Sequence, residues 1–208
     1  MRPRVTLKLA TSLDGKIAMA SGESQWITGA QSRLQGHHLR ASHEAILVGV
    51  ETVLADNPRL TARIDGETPR QPLRVVLDSR LRTPSTSHLA DDALILTTVE
   101  PKSIGTSRIV QMASDAAGRP SVVAVLEALS AQGIQSLLIE GGGTVAASFI
   151  QAGFVDRIEW FRAPMILGQD GRSGIAALEF SKLSDAPRFR RLAVEPLGDD
   201  LWERYEKV

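Results

Sequence analysis

The stretch from Leu137 to Thr144 places a short apolar run, one acid, three glycines and the start of a helix in direct succession. The apolar run is typical of a buried strand, and the residues up to Ile150 favour a helix that Gly153 would end. Glycines at such a turn let a ligand approach the backbone, and the amide groups at a helix start attract anions such as phosphate. A flexible turn without a ligand is the simpler interpretation of three glycines, but Glu140 at the carboxyl end of the strand favours a binding site.

The rest of the chain alternates short apolar segments with helical ones, which favours a largely parallel sheet with right-handed crossovers. The predicted strands cover 5–10, 45–49, 73–77, 94–97, 109–112, 137–139 and 155–162, and the predicted helices cover 29–43, 50–55, 122–131 and 144–150. Segments 189–195 and 201–207 alternate in polarity around a Pro-Leu-Gly-Asp turn and predict an antiparallel hairpin at the edge of the sheet. Because 208 residues contain no linker or repeat, we expect one domain, 1–208.

The composition excludes several classes of protein. A formal net charge of zero argues against a nucleic-acid partner. The absence of cysteine excludes disulfides, thiolate metal sites and a cysteine nucleophile. No apolar run approaches the length of a membrane span, so we expect no membrane partner and a cytoplasmic protein. His37 and His38 are adjacent on a predicted helix and therefore point apart, so no metal site is expected.

Several polar side chains are candidates for binding an anion. Arg40 lies near the end of the first predicted helix, where a cation also interacts favourably with the helix dipole, whereas Arg33 is expected to be a solvated residue. The loop Asp78–Arg82 offers a hydroxyl and two arginines after a strand, which suits a phosphate but equally suits an ordinary surface loop. Trp26 sits in a polar loop, and an isolated tryptophan of this kind more often fills a core than stacks on a ligand.

Taken together, six segments resemble the reductase domain of riboflavin biosynthesis, the C-terminal half of the bifunctional deaminase–reductase. They occur in the order of that family, cover nearly the whole chain, and are specific as a set although each one alone is not. The segments are Leu7–Lys16, Gly22–Thr28, Leu47–Thr61, Arg74–Ser79, Glu140–Gly142 and Ala163–Gly168. Gly143 departs from the Pro or Ser that the bacterial family often has there, and we expect this to have little effect.

The resemblance implies a dihydrofolate-reductase-like α/β fold: three layers, with a mixed, mostly parallel sheet, helices on both faces and the C-terminal antiparallel hairpin. It also implies NADPH-dependent reduction of the ribosyl group of 5-amino-6-(5-phosphoribosylamino)uracil to the ribitylamino product, by a homodimer. By resemblance, NADPH should meet Ala10, Trp26, Thr52, Asp56, Ser79, Gly142, Gly143, Thr144, Val145, Ala146, Ala147 and Ser148. The substrate should meet Ser24, Arg40, Leu60, Arg63 and Glu140.

The reaction needs an acid, because the ribose ring must open before C1′ can accept a hydride. Glu140 suits this role from its place at a strand end. Lys8, on the first strand, is either its catalytic partner or a solvated lysine at an edge of the sheet. Arg40 and Arg63 are expected to hold the 5-phosphate by charge-assisted hydrogen bonds.

Other functions stay open. A dihydrofolate or pterin reductase would place an acid on the first helix, which here is basic until Glu44. A non-catalytic nucleotide-binding subunit that partners a separate deaminase is a further alternative. Reduction of the undeaminated diaminopyrimidine is another, although the loop around Trp26 resembles the bacterial type, in which deamination comes first. Without the H-x-E and P-C-x-x-C motifs the chain is not expected to deaminate, so it is a stand-alone reductase, one domain of a longer protein, or a paralogue with a changed substrate.

Overall fold

The computed structural model describes residues 1–208, which divide into two compact units. The first unit comprises Met1–Arg4 and Leu39–Leu138, and the second comprises Val5–His38 and Ile139–Val208. The helices are α1 (Ala30–Ser42), α2 (Val50–Asp56), α3 (Val122–Ala131) and α4 (Gly143–Gln151), with a single 3-10 turn at Leu183–Asp185. The strands are β1 (Arg4–Thr11), β2 (Lys16–Ala18), β3 (Ala45–Gly49), β4 (Leu73–Leu77), β5 (Ala93–Thr97), β6 (Arg108–Gln111), β7 (Ser136–Ile139), β8 (Arg157–Arg162), β9 (Arg172–Ser173), β10 (Phe189–Leu197) and β11 (Asp200–Lys207). The organisation into one domain stays a prediction.

In the first unit, strands β3, β4, β5 and β6 lie side by side in that order and run parallel, with β7 next to β3. All five residues of β3 are buried, as a uniformly apolar strand inside a parallel sheet requires. The carboxyl ends of β3 and β4 meet at the pair Gly49 and Leu77. Therefore α2, which follows β3 directly, and the loop that follows β4 both begin at the same edge of the sheet, where ligands gather in α/β proteins.

In the second unit the strand order is β10, β11, β8, β1. Strand β8 pairs parallel with β1 and antiparallel with β11, and β10 and β11 form an antiparallel hairpin. Leu7 of β1, Phe149 of α4 and Phe161 of β8 are almost completely buried and belong to the core. The predicted mixed, mostly parallel sheet with a C-terminal hairpin is confirmed.

Two features differ from the prediction. Strands β2 and β9 pair in a small antiparallel sheet, which the sequence did not indicate because three and two residues are too few to show a periodicity. Helix α1 begins at Ala30, one residue later than predicted, and the Gly29 amide just before it donates a hydrogen bond to the carboxylate of Asp200. None of the helices is both long and apolar enough to cross a lipid bilayer.

Candidate active site

Lys8 and Glu140 form an ion pair in the second unit. Lys8 projects from β1, and Glu140 directly follows β7. The Lys8 Nζ and Glu140 Oε2 atoms lie 4.0 Å apart, and the two side chains are 20% and 4% exposed. Lys8 Nζ also lies 5.8 Å from the ring centroid of Phe161. Lys8 is therefore held against a carboxylate and an aromatic ring and is not a solvated edge lysine.

The glycine turn after Glu140 is accessible. Gly142 has a φ of +81° and no side chain caps the helix that follows it. Gly143 is half-buried and Thr144 is exposed. In contrast, the side chains of Val145, Ala146 and Ala147 are buried, so these residues of the predicted cofactor turn can offer a ligand only their backbone. Ser148 is half-buried and donates a hydrogen bond to the Thr144 carbonyl.

A segment that the sequence did not single out packs against this turn. We call residues 172–176 the strap. The Ala176 amide donates a hydrogen bond of 3.0 Å to the Gly143 carbonyl, and the Gly174 amide donates one of 2.9 Å to the Gly15 carbonyl. A Cβ atom at Gly143 would lie 2.4 Å from the backbone oxygen of Ser173. The strap thus links the turn after β1 to the glycine turn, and it explains why glycine stands at position 143 in this chain.

Asp14 joins two loops that follow neighbouring parallel strands. Its carboxylate accepts hydrogen bonds from the Ser12 hydroxyl at 2.6 Å and from the amides of Leu167 and Gly168 at 3.1 and 2.8 Å. The Ser12 hydroxyl, together with these amides, lowers the pKa of Asp14 to about 2 although the side chain is exposed. Asp14 therefore fixes the loop after β8 to the turn after β1, next to the predicted cofactor residue Ala10.

Trp26 is 66% exposed and does not fill the core, which corrects the expectation drawn from its sequence context. The guanidinium carbon of Arg33 lies 4.6 Å from the centroid of the Trp26 ring, so Arg33 is not simply a solvated residue either. Both residues line an open pocket of about 520 Å³. The predicted substrate residue Ser24, two positions before Trp26, is half-buried.

A second acid lies beside Lys8. Glu159 is paired in register with Lys8 across β1 and β8 and is 3% exposed. It accepts a hydrogen bond of 2.7 Å from the Trp202 indole, and burial raises its pKa. No group of three or more His, Cys, Asp or Glu side chains in the chain is arranged to hold a metal ion.

In the first unit, the structure brings Arg40 to the segment that contains two other predicted substrate residues. Arg40 Nη1 donates a hydrogen bond of 3.1 Å to the carbonyl of Thr61. Leu60 is buried and has a φ of +54°, and Arg63 is exposed. The side chain of Gln71 fixes this segment by a pair of 2.9 Å hydrogen bonds to the backbone of residue 62.

The remaining predicted cofactor residues lie near the carboxyl ends of β3 and β4. Thr52 is half-buried and Asp56 is exposed, one turn apart on α2, and Ser79 is half-buried in the loop after β4. In that loop Arg82 pairs with Glu51 of α2. Arg82 is therefore already bound to a carboxylate, which weakens its candidacy for a phosphate relative to the exposed Arg80.

Comparison of the chain with solved structures defines its class of fold. A dihydrofolate reductase from Enterococcus faecalis matches 98% of the chain, over 96% of its own length, with a TM-score of 0.57 and 14% identity. The chain therefore has the dihydrofolate reductase fold, as expected.

The family follows from the sequence. The family model described as RibD C-terminal domain matches residues 3–202, and the chain belongs to this family. The "Riboflavin biosynthesis protein RibD" of Bacillus amyloliquefaciens is 36% identical over 208 residues, which cover 96% of this chain and 56% of that protein. The chain thus spans little more than half the length of such relatives. A relative from Methanothermobacter thermautotrophicus, named 2,5-diamino-6-ribosylamino-4(3H)-pyrimidinone 5′-phosphate reductase, is 38% identical over 213 residues, covering 99% of this chain and 98% of that protein.

Solved structures agree with this assignment. RibD from Acinetobacter baumannii covers the whole chain with 58% of its own length, a TM-score of 0.86 and 35% identity. A Thermotoga maritima protein described as a diaminohydroxyphosphoribosylaminopyrimidine deaminase/5-amino-6-(5-phosphoribosylamino)uracil reductase also has a TM-score of 0.86, with 32% identity over the whole chain and 57% of that protein.

Proposed function

We propose that this chain reduces the ribosylamino group of 5-amino-6-(5-phosphoribosylamino)uracil to a ribitylamino group, with NADPH as the hydride donor, in riboflavin biosynthesis. Family membership supports the reaction class. The observation that carries the proposal is the Lys8–Glu140 ion pair, with Glu140 immediately before the glycine turn. Opening of a ribose ring requires a proton donor within reach of the ring oxygen, and an ion pair of this kind supplies one.

The pair can move a proton to the sugar. Opening of the ring breaks the bond between C1′ and the ring oxygen, and that oxygen takes up one proton. C1′ then takes up one hydride, so the substrate gains two hydrogens in all. The pair places an ammonium, which can donate a proton, 4.0 Å from a carboxylate, which can accept one. We therefore assign proton delivery to the pair as a unit, with Glu140 next to the sugar.

The glycine turn fits a dinucleotide phosphate. Its positive φ at Gly142 and the lack of a side-chain cap on α4 leave a backbone surface of the kind that binds phosphate at a helix start. The exposed ring of Trp26 and the half-buried Ala10 would contact the same cofactor. When bound, the reduced nicotinamide supplies the hydride. Thr52, Asp56 and Ser79, which belong to the first unit, are proposed as further cofactor residues on the basis of the family resemblance.

The substrate phosphate is assigned to Arg40 and Arg63. A phosphate dianion suits guanidinium groups, which make paired charge-assisted hydrogen bonds. The hydrogen bond from Arg40 to the Thr61 carbonyl fixes the guanidinium beside the segment that carries Arg63. Leu60 and Ser24 are proposed to contact the remainder of the substrate.

The undeaminated diaminopyrimidinone is a second candidate substrate. The relative that this chain covers almost completely carries that substrate in its name, whereas the Thermotoga maritima protein carries the uracil in its description. Oxidation of NADPH should be followed with each of the two pyrimidine phosphates in parallel, with dihydrofolate as a control. Turnover of the uracil compound supports the proposal, turnover of the diamino compound alone selects the second candidate, and turnover of dihydrofolate alone contradicts both.

The proposal includes four further properties, all of which rest on the family. They are a preference for NADPH over NADH, a homodimer, a cytoplasmic location and a separate deaminase partner. The ratio of kcat/KM for the two cofactors tests the first. Light scattering coupled to gel filtration tests the second: a mass of one chain at assay concentration would contradict a dimer.

A further inference from the structure

Arg33 connects Trp26 to the start of helix α1. Its guanidinium carbon is 4.6 Å from the centroid of the Trp26 ring, a distance at which a cation is attracted to the face of an indole. The same guanidinium donates a hydrogen bond of 2.8 Å to the carbonyl of Thr28. One side chain therefore fixes both the ring and the backbone of the loop that carries it.

The position of Arg33 is itself fixed by a buried carboxylate. Asp200, at the start of β11, is 4% exposed. It accepts hydrogen bonds from the Gly29 amide at 2.7 Å and from the Ser32 hydroxyl at 2.6 Å. Carboxylates at this position stabilise a helix start because they satisfy amide groups that have no partner within the helix. The first turn of α1 is thereby fixed to the hairpin, and Arg33 with it.

Trp26 has no comparable support from a core. It is 66% exposed and forms part of the wall of the 520 Å³ pocket, together with residues of the hairpin turn and of the loop after β8, including Leu197 and Met165. A large aromatic side chain in such a place would adopt several rotamers unless another group selected one. The contact with Arg33 favours the one rotamer that the structure shows.

We propose that Arg33 is a positioning residue for the reduction: it holds the Trp26 indole in the orientation that meets the nicotinamide cofactor. The inference rests on the proposed function, which places Trp26 against that cofactor. Arg33 acts through Trp26 and does not itself need to touch the cofactor or the substrate.

A double-mutant cycle tests this, with the dissociation constant of NADPH read from the fluorescence of the bound cofactor. We expect Arg33→Met and Trp26→Leu each to weaken NADPH binding roughly three- to tenfold. Arg33→Met removes an exposed cation–π contact and a charged hydrogen bond, and Trp26→Leu removes the ring of that contact. In the double variant the effect should be no larger than in Trp26→Leu alone, because the two residues act as one unit. Arg33→Lys, which keeps the charge but loses the planar fork, should restore binding in part.

The outcomes separate the inference from the proposed function. The positioning role is overturned if the effects of the two substitutions on the dissociation constant multiply in the double variant, or if Arg33→Met leaves that constant unchanged. In either case, NADPH oxidation by the wild type still supports the proposed reductase function. If the wild type binds no NADPH, the proposed function and this inference are overturned together. Should Arg33→Met fail to fold, the cycle is repeated with Arg33→Lys, and additive effects there overturn the role equally. Arg190→Met, at an exposed ion pair of β10 with Glu206, serves as the control and should bind NADPH as the wild type does.

Discussion

Replacing Gly143 by alanine should destabilise the protein, because the strap leaves no room for a methyl group. The added Cβ would lie 2.4 Å from the Ser173 carbonyl oxygen, whereas ordinary contacts of this kind begin at 3.4 Å. The strap or the glycine turn must therefore move by about 1 Å, and the hydrogen bond of 3.0 Å from Ala176 to residue 143 would be strained. Overpacking of this kind costs about 1–3 kcal/mol, which lowers the melting temperature of a chain of this size by roughly 2–12 °C.

Gly36→Ala is a matched control for this substitution. Gly36 lies within α1 with a normal helical φ, and a Cβ there would meet nothing within 4 Å. Alanine is the better helix former by about 1 kcal/mol, so this variant should melt roughly 2–4 °C higher than the wild type. Differential scanning calorimetry of the wild type and the two variants measures these melting temperatures. If Gly143→Ala melts at or above the wild-type temperature, the packing of the strap against the glycine turn is not as described.

Three other predictions follow from the proposed site. Glu140→Gln should lower kcat by roughly 10²–10⁴-fold while the dissociation constant of NADPH is unchanged; near-normal turnover would make Glu140 structural. Arg40→Ala should raise KM for the phosphorylated substrate at least about tenfold, or 1.4 kcal/mol, and an unchanged KM would remove Arg40 from the phosphate site. Asp14→Asn should be less stable than the wild type at neutral pH. Since the pKa of Asp14 is lowered to about 2, its stabilising effect is present above the unfolded-state pKa and is lost as the pH falls through about 2. The difference in urea midpoint between the two proteins should therefore shrink from about pH 4 downwards, and a pH-independent difference would contradict this role.

The sequence was sufficient to predict the elements whose apolar pattern is long. The uniformly apolar residues of β3 and the helical spacing of α3 gave the bounds that the structure shows, and the alternating tail gave the hairpin. The predicted start of β8 was two residues early, since Val155 is buried but precedes the paired residues. The two-residue strand β9 carries no periodicity, so the strap could not be anticipated.

The side-chain arrangement of the candidate site was harder to predict. Trp26 and Arg33 are seven residues apart, but a loop and a helix start intervene, so no regular spacing indicates that they stack. Asp200 is 171 residues from Gly29 along the chain, and only the folded hairpin brings it to the helix start. Local sequence can indicate which side chains suit a reaction, but these contacts depend on tertiary packing.

In the proposed reaction, a hydride is transferred to C1′ of a pyrimidine ribosylamine phosphate. The most direct measurement uses NADPH labelled with deuterium in the transferred position and mass spectrometry of the pyrimidine product. We predict a ribitylamino product that carries one deuterium at C1′, formed by the wild type and almost absent with Glu140→Gln. An unlabelled product, or consumption of NADPH without any change in the pyrimidine, would contradict hydride transfer to C1′.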